Sequence, residues 1–178
     1  QLIKALEDSE PVIRWTVAHA LGHTRDPELV PLLLNALRKN KTYVARSIVD
    51  ALLQLATERS IPVLTNSLND VDPGVREASV EALGKLGHAA SIPGLNNALQ
   101  DEAVSVRRAA ALALGRMRSK ESLYPLLEGL NDDAWCVRWA CAEALGNIGE
   151  SGIVSQLARM MSDSHGYVRR AAAEALGK

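Results

Sequence analysis

The feature that most constrains this chain is a motif that returns every 31 residues. It consists of an apolar residue, an arginine directly after it and, six residues after the arginine, Ala-Leu-Gly. Five copies are complete: Ile13–Gly22, Val75–Gly84, Val106–Gly115, Val137–Gly146 and Val168–Gly177. A degenerate sixth copy begins at Val44 and keeps the same step. A fixed period of this length is the signature of a repeat architecture.

Each period contains two segments with helical spacing of apolar residues. The first reads Ile92, Leu95, Leu99 in one copy, and the second contains the motif itself. Apolar residues at i, i+3, i+4 and i+7 lie on one face of an α-helix. Prolines near the start of several segments fit the first helical turn, where the missing N–H has no partner. We expect the second helices to end near Gly84 and Gly146, with Gly87 and Gly149 in the following turns.

The spacing therefore predicts an all-α fold, an α-solenoid of about six 31-residue two-helix repeats in one domain. The repeats span residues 1–24, 25–55, 56–86, 87–117, 118–148 and 149–178. A single helix pair cannot bury its own apolar face, whereas stacked pairs share a continuous core. The first repeat lacks most of its first helix, and the last has no polar cap. We expect either an excerpt of a longer array or copies that stack end to end.

A polar pair repeats with the same period. An aspartate stands six residues before each motif arginine, as in Asp132 and Arg138, in five of the six copies. Such a pair can form a charge-assisted hydrogen bond within one repeat or between neighbours. The second repeat has Lys39, Ala45 and Leu53 in place of the aspartate, the arginine and the glycine. This predicts looser or bent stacking there.

The Asp-x5-Arg spacing followed by Ala-Leu-Gly resembles HEAT repeats of the phycobilisome-lyase HEAT-like type. The resemblance extends over the whole chain and implies a solenoid whose second helices line a concave binding face. Members of that family include binding scaffolds and chromophore lyases. The His-Glu dipeptides typical of the related deoxyhypusine hydroxylases do not occur, nor does the Asn-His-Cys motif of isomerising bilin lyases.

Composition excludes several other classes of protein. Lysine and arginine number 20 against 21 acidic residues, so the basic excess expected of a nucleic-acid-binding protein is missing. No apolar run reaches the length of a membrane span. The two cysteines, Cys136 and Cys141, make no disulfide framework, and Cys141 falls in a core position. We predict a cytoplasmic protein without a cofactor.

Candidate binding residues are those that differ between repeats on the second helices. Aromatic residues and arginine most often dominate interfaces, and most of the chain's aromatic residues fall in or beside these variable positions. The predicted partner-binding residues are Trp15, His19, Tyr43, Arg46, Glu77, Arg108, Trp135, Trp139, Glu143, Tyr167 and Arg170. The pattern favours a non-catalytic scaffold that binds a protein or peptide.

Three alternatives stay open. The first is a phycobilin lyase or chromophore chaperone, which the resemblance implies and in which the aromatic and histidine side chains would hold a tetrapyrrole. The second is nucleic-acid binding, which the neutral charge disfavours. The third is a metal site formed by His19, His23 and Asp50, since the two histidines have the i, i+4 spacing of metal ligands. A solvated histidine pair explains that spacing more simply, so no metal is predicted.

Overall fold

The computed structural model describes residues 4–24, 26–39 and 43–178. Among them are eleven α-helices and no strand, which confirms the all-α prediction. The helices are α1 (Pro11–His23), α2 (Val30–Lys39), α3 (Tyr43–Leu55), α4 (Ile61–Asn66), α5 (Pro73–Leu86), α6 (Ile92–Ala98), α7 (Val104–Met117), α8 (Leu123–Gly129), α9 (Trp135–Ile148), α10 (Val154–Met160) and α11 (Gly166–Leu176).

The chain forms two compact units, Gln1–Leu86 and Gly87–Lys178. The division coincides with one of the predicted repeat boundaries. In the first unit, α3 packs on α1 and α2, and α5 packs on α4. In the second unit, α7, α9 and α11 stack in succession, and each also packs on its own first helix. This is the arrangement of stacked helical hairpins in a solenoid.

Helix boundaries follow the local sequence. Pro11 and Pro73 each occupy the first position of a second helix, and the Asp72 carboxylate caps α5 by accepting from the N–H of Gly74 at 2.9 Å. The expectation that Gly84 and Gly146 end their helices is wrong, because α5 and α9 continue to Leu86 and Ile148. The ends are at Gly87 and Gly149, whose φ angles of 65° and 71° suit glycine.

The glycines inside the second helices allow close helix packing. A Cβ on Gly115 would lie 2.7 Å from Cα of Ala144, and one on Gly146 would lie 2.6 Å from Cβ of Ala175. Gly22 faces Ala51 in the same way, with 3.0 Å to Cα. Gly22, Gly115 and Gly146 therefore each pack on the motif alanine of the next repeat, 29 residues later. No side chain larger than hydrogen fits at these crossing points without movement.

The stack opens between α3 and α5. Leu53 stands on α3 where the other second helices carry the packing glycine. Fewer residues of α3 approach α5 closely than approach α1. This agrees with the predicted loosening at the second repeat, and the leucine side chain gives its steric reason.

The repeated arginines connect neighbouring repeats. Arg138 donates from Nη1 to the backbone carbonyl oxygens of Asp132 and Asp133, at 2.8 and 3.0 Å. It also donates from Nε and Nη2 to the Asp163 carboxylate of the next repeat, at 2.7 and 3.0 Å. Arg107 and Asp132 repeat this geometry one step earlier. One planar guanidinium thus binds the carbonyl oxygens of its own turn and the carboxylate of the following repeat. These contacts fix the register between the two repeats.

In the second repeat, which has no motif arginine, an arginine at a different position makes the contact with the next aspartate. Arg38, near the end of α2, donates to the Asp70 carboxylate from Nε at 3.1 Å, with a second, shorter bond from Nη2. The guanidinium of Arg38 lowers the pKa of Asp70 below its ordinary value. In contrast, Lys39 stands where the aspartate that follows Arg14 in the series would be. Among the described residues, none accepts a hydrogen bond from the buried Nε of Arg14.

Glycine at the crossing points should be irreplaceable even by alanine. We expect Gly115→Ala to lower the free energy of unfolding by about 1–3 kcal/mol, because the added methyl group meets the backbone of Ala144. Gly152→Ala is the matched control, since its Cβ would meet nothing within 4 Å. Urea unfolding followed by circular dichroism measures both. Equal stabilities would show that the helices separate without penalty.

The Arg138–Asp163 pair predicts acid sensitivity. The Arg138 guanidinium lowers the pKa of the Asp163 carboxyl, whose side chain is only 7% exposed. Because the pKa of Asp163 is lower in the folded state than its value of about 4 in the unfolded chain, the ionised carboxylate stabilises the fold at pH values above about 4. This stabilisation is lost as the pH falls through the folded-state pKa. We expect Asp163→Asn to lower stability at pH 7 by about 1–3 kcal/mol and to flatten its decline toward pH 3.

The asparagine oxygen of that variant can still accept the N–H of His165, so the change isolates the charge. Asp133→Asn, at an exposed neighbouring carboxylate, is the control and should leave the pH profile unchanged. Identical profiles for the two variants would contradict the assigned role of the pair.

Candidate functional site

A groove opens between α3 and α5 in the first unit, where the repeat pattern is broken. Its volume is about 220 Å³, and its lining residues are Leu37, Ala45, Arg46, Val49, Gly74, Glu77, Ala78 and Glu81. Ala45, which lines the groove, occupies the position of the motif arginine. The groove has an apolar floor with charged residues at its edge, and Arg46 and Glu77 belong to the predicted binding residues.

The charged edge of the groove has a defined arrangement. Arg46 is largely exposed, and its Nε lies 3.1 Å from the Asp50 carboxylate one helical turn away. Glu77 and Glu81 are half-buried on α5. Exposed i, i+4 ion pairs contribute little to stability. The Arg46–Asp50 pair therefore adds little to the stability of the fold.

Three aromatic rings follow one another along α1, where Trp15 stacks on His19 and the His23 ring is tilted by 37° from that of His19. The rings of Trp15 and His19 lie 5.7 Å apart and nearly parallel, and those of His19 and His23 lie 4.5 Å apart. Trp15 is 46% exposed. The His23 Nδ1 lies 3.0 Å from the carbonyl oxygen of His19, and Asp50 is paired with Arg46. The described residues contain no group of three or more side chains arranged to hold a metal ion.

A second aromatic stack lies at the starts of α9 and α11. Trp135 and His165 are parallel within 7° at a centroid distance of 3.9 Å, and Tyr167 lies 5.7 Å from Trp135. Trp135 is 41% exposed and Tyr167 57%. Trp139 is half-buried. His165 is a member of this stack that is not among the predicted binding residues, although its position 30 residues after Trp135 puts it in the adjacent turn.

The remaining predicted partner-binding residues differ in their exposure to solvent. Arg108 and Arg170 are exposed, and Glu143 is half-buried. Arg170 pairs with Glu174 at 3.1 Å, which repeats the Arg46–Asp50 arrangement. The side chain of Tyr43 lies outside the described part of the structure.

The two cysteine thiols differ in their surroundings. Cys141 is fully buried, as predicted, and burial raises the pKa of its thiol to about 12. It therefore stays protonated at neutral pH and is inert as a nucleophile. Cys136 is half-buried and unbonded.

Comparison with solved structures identifies a relative of known activity. The chain is 28% identical to a chain in the complex of CpcE and CpcF of phycocyanin lyase from Nostoc sp. PCC7120. The similarity covers 84% of this chain and 99% of that chain, with a TM-score of 0.74. It extends over nearly all of that protein.

Two further structures share the fold alone. A designed armadillo repeat protein in complex with the peptide (KR)4 is 18% identical, with a TM-score of 0.62 over 99% of this chain and 97% of that chain. Human deoxyhypusine hydroxylase in complex with glycerol is 17% identical, with a TM-score of 0.51 over 99% and 82%. Comparison with curated proteins gives no match.

No helix in the described part of the chain is long and apolar enough to cross a membrane.

The sequence also fits a family of repeats along its whole length. The family model for HEAT repeats matches residues 1–84, 62–138 and 125–178, which together cover every position. With the stacked helix pairs and the regular period, this match means that the chain belongs to the HEAT-repeat family.

Proposed function

We propose that this protein is a non-catalytic binding module that holds a partner polypeptide on the exposed face of its second helices. The groove between α3 and α5 carries the proposal. Pockets for small molecules commonly measure about 300–1,000 Å³, so a groove of about 220 Å³ is small for such a ligand. It is large enough for one apolar side chain of a partner.

The chemistry of the groove supports such an anchor. Leu37, Val49 and Ala78 provide an apolar floor on which a partner side chain loses contact with water. Arg46 and Glu77 stand at the edge with opposite charges, where they can pair with polar groups flanking the anchor. An apolar centre surrounded by a polar rim is the usual anatomy of a protein interface.

The exposed aromatic residues add contact area on the second helices. Trp15 and Trp135 leave 46% and 41% of their surfaces exposed, although each ring already stacks on a histidine. Stacking restricts the rings before a partner arrives, so less conformational entropy is lost on binding. Large pre-positioned rings of this kind are typical interface anchors.

Filling the groove should weaken binding. Ala45→Arg adds a long charged side chain to a residue that lines the groove, and we expect binding of a peptide selected from a displayed library to weaken about tenfold or more. Fluorescence anisotropy measures the affinity. Ala158→Arg, at an exposed position on α10, is the matched control and should bind as the wild type does. A selected peptide that binds both variants equally would exclude the groove as its site.

A second function is favoured by the similarity to the phycocyanin lyase complex. We infer as an alternative that this chain works as one subunit of a lyase-type pair that handles a bilin. The stacked rings of Trp15 and His19, with the tilted His23 ring beside them, offer an exposed aromatic surface to a planar tetrapyrrole. Cys141 takes no part, because its thiol is buried and protonated.

The lyase-type alternative predicts chromophore binding. Titration with free phycocyanobilin should induce a visible circular-dichroism band in the wild type, because a bound bilin adopts one handed conformation. Trp15→Ala should reduce the band about tenfold at a fixed subsaturating concentration. Tyr124→Ala is the control, since Tyr124 is 71% exposed on α8 and belongs to neither stack. The absence of a band at any concentration would leave the polypeptide-binding proposal alone.

A further inference from the structure

The two sides of the groove between α3 and α5 differ in charge. On α3 the positive charge is neutralised within the helix, because the Arg46 Nε lies 3.1 Å from the Asp50 carboxylate. On α5 two carboxylates, those of Glu77 and Glu81, line the groove one helical turn apart. These four side chains carry one positive and three negative charges at neutral pH. The excess of negative charge thus lies on the α5 side of the groove.

Two other cations of the first unit are engaged in packing contacts. Lys85 follows Glu81 by one turn on α5, and its Nζ donates to the carbonyl oxygen of Leu53 at 2.7 Å. Leu53 lies in the last turn of α3, where a cation also interacts favourably with the helix dipole. Arg38 donates to the Asp70 carboxylate. Each of these cations therefore links helices of the first unit and is held at a defined place.

The carboxylates of Glu77 and Glu81 can receive a partner in addition to their contacts within the chain. An ionised carboxylate has two oxygens and about four acceptor sites. Both side chains are half-buried, and the apolar residues Val49 and Ala78 line the groove with them. Because less water surrounds a half-buried carboxylate, it attracts a cation more strongly than an exposed one does. The α5 side thus offers a place for a cationic group directly beside an apolar surface.

We propose that the partner segment is basic and that one of its lysine or arginine side chains occupies this groove. Its methylene stem lies on the apolar floor, and its cationic end lies between Glu77 and Glu81. Lysine and arginine combine these two parts, since their stems cover apolar surface while the charged group stays at its polar edge. A purely apolar side chain would use the floor alone, and the two carboxylates would repel an acidic one. This inference rests on the proposed polypeptide binding and adds the chemistry of the ligand.

Selection from a displayed peptide library, with the wild-type chain as bait, tests the composition of the ligand. Peptides whose binding is weakened by Ala45→Arg should be enriched in lysine or arginine. In a fluorescein-labelled peptide from this set, norleucine in place of the basic residue keeps an unbranched stem and removes the charge. Fluorescence anisotropy should show that this replacement weakens binding about tenfold.

Matched substitutions in the protein assign the charge to the groove. Glu77→Gln combined with Glu81→Gln preserves side-chain size, and this double variant should bind the basic peptide about tenfold more weakly than the wild type does. It should bind the norleucine peptide as the wild type does, because that peptide gains nothing from the carboxylates. Glu58→Gln removes an exposed carboxylate elsewhere in the first unit, and its affinity for both peptides should equal that of the wild type.

The results distinguish the basic ligand from polypeptide binding itself. Groove-binding peptides without enrichment in basic residues would overturn the basic ligand and leave the proposed function intact. So would a basic peptide whose affinity the double variant leaves unchanged. Equal weakening by Glu58→Gln would show attraction to the overall charge of the chain, which would overturn the assignment to Glu77 and Glu81. A library that yields no binding peptide would overturn both the basic ligand and the proposed function.

Discussion

The close approach of neighbouring second helices depends on a glycine that presents no side chain where they cross. At Gly115 the next helix lies so near that even a methyl group would reach the backbone of Ala144. Contact at this distance brings backbone atoms of both helices within van der Waals range, where dispersion contributes along the length of the crossing. The period of 31 residues places this crossing in the same position in each regular repeat. Where Leu53 replaces the glycine, the helices separate and a groove forms.

The arginines add oriented hydrogen bonds between neighbouring repeats to this packing. A guanidinium has a fixed fork of donors, so one residue can bind two turn carbonyls and a carboxylate at once, which lysine cannot do. Arg138 and Asp163 are 14% and 7% exposed, so water competes weakly for this pair. Arg38 reaches Asp70 from a different helix and keeps that contact while Ala45 leaves the groove empty. The second repeat has thus lost its close packing without losing the link to the third.

The sequence was sufficient to predict the helix pairs, their period and the recurrent aspartate–arginine contacts, because each depends on local spacing. It also predicted Arg46 and Glu77 as partner-binding residues, and both line the groove between α3 and α5; their binding role stays a prediction. The groove between them could not be predicted as a cavity, since its size depends on how far two helices separate. The packing role of Gly146 was mistaken for a helix end, because glycine serves both purposes and only the neighbouring helix distinguishes them. His165 was overlooked because ring stacking depends on side-chain rotamers.

The placement of the polar groups supports the proposal that the main role is recognition. A general acid or base works best when its neighbours hold it in one protonation state and shield it from water. His19 and His23 lie on an exposed helix face, and the buried thiol of Cys141 is kept protonated. The exposed rings of Trp135 and Tyr167 are instead held by stacking. Such surfaces suit the proposed role of a protein that positions another molecule.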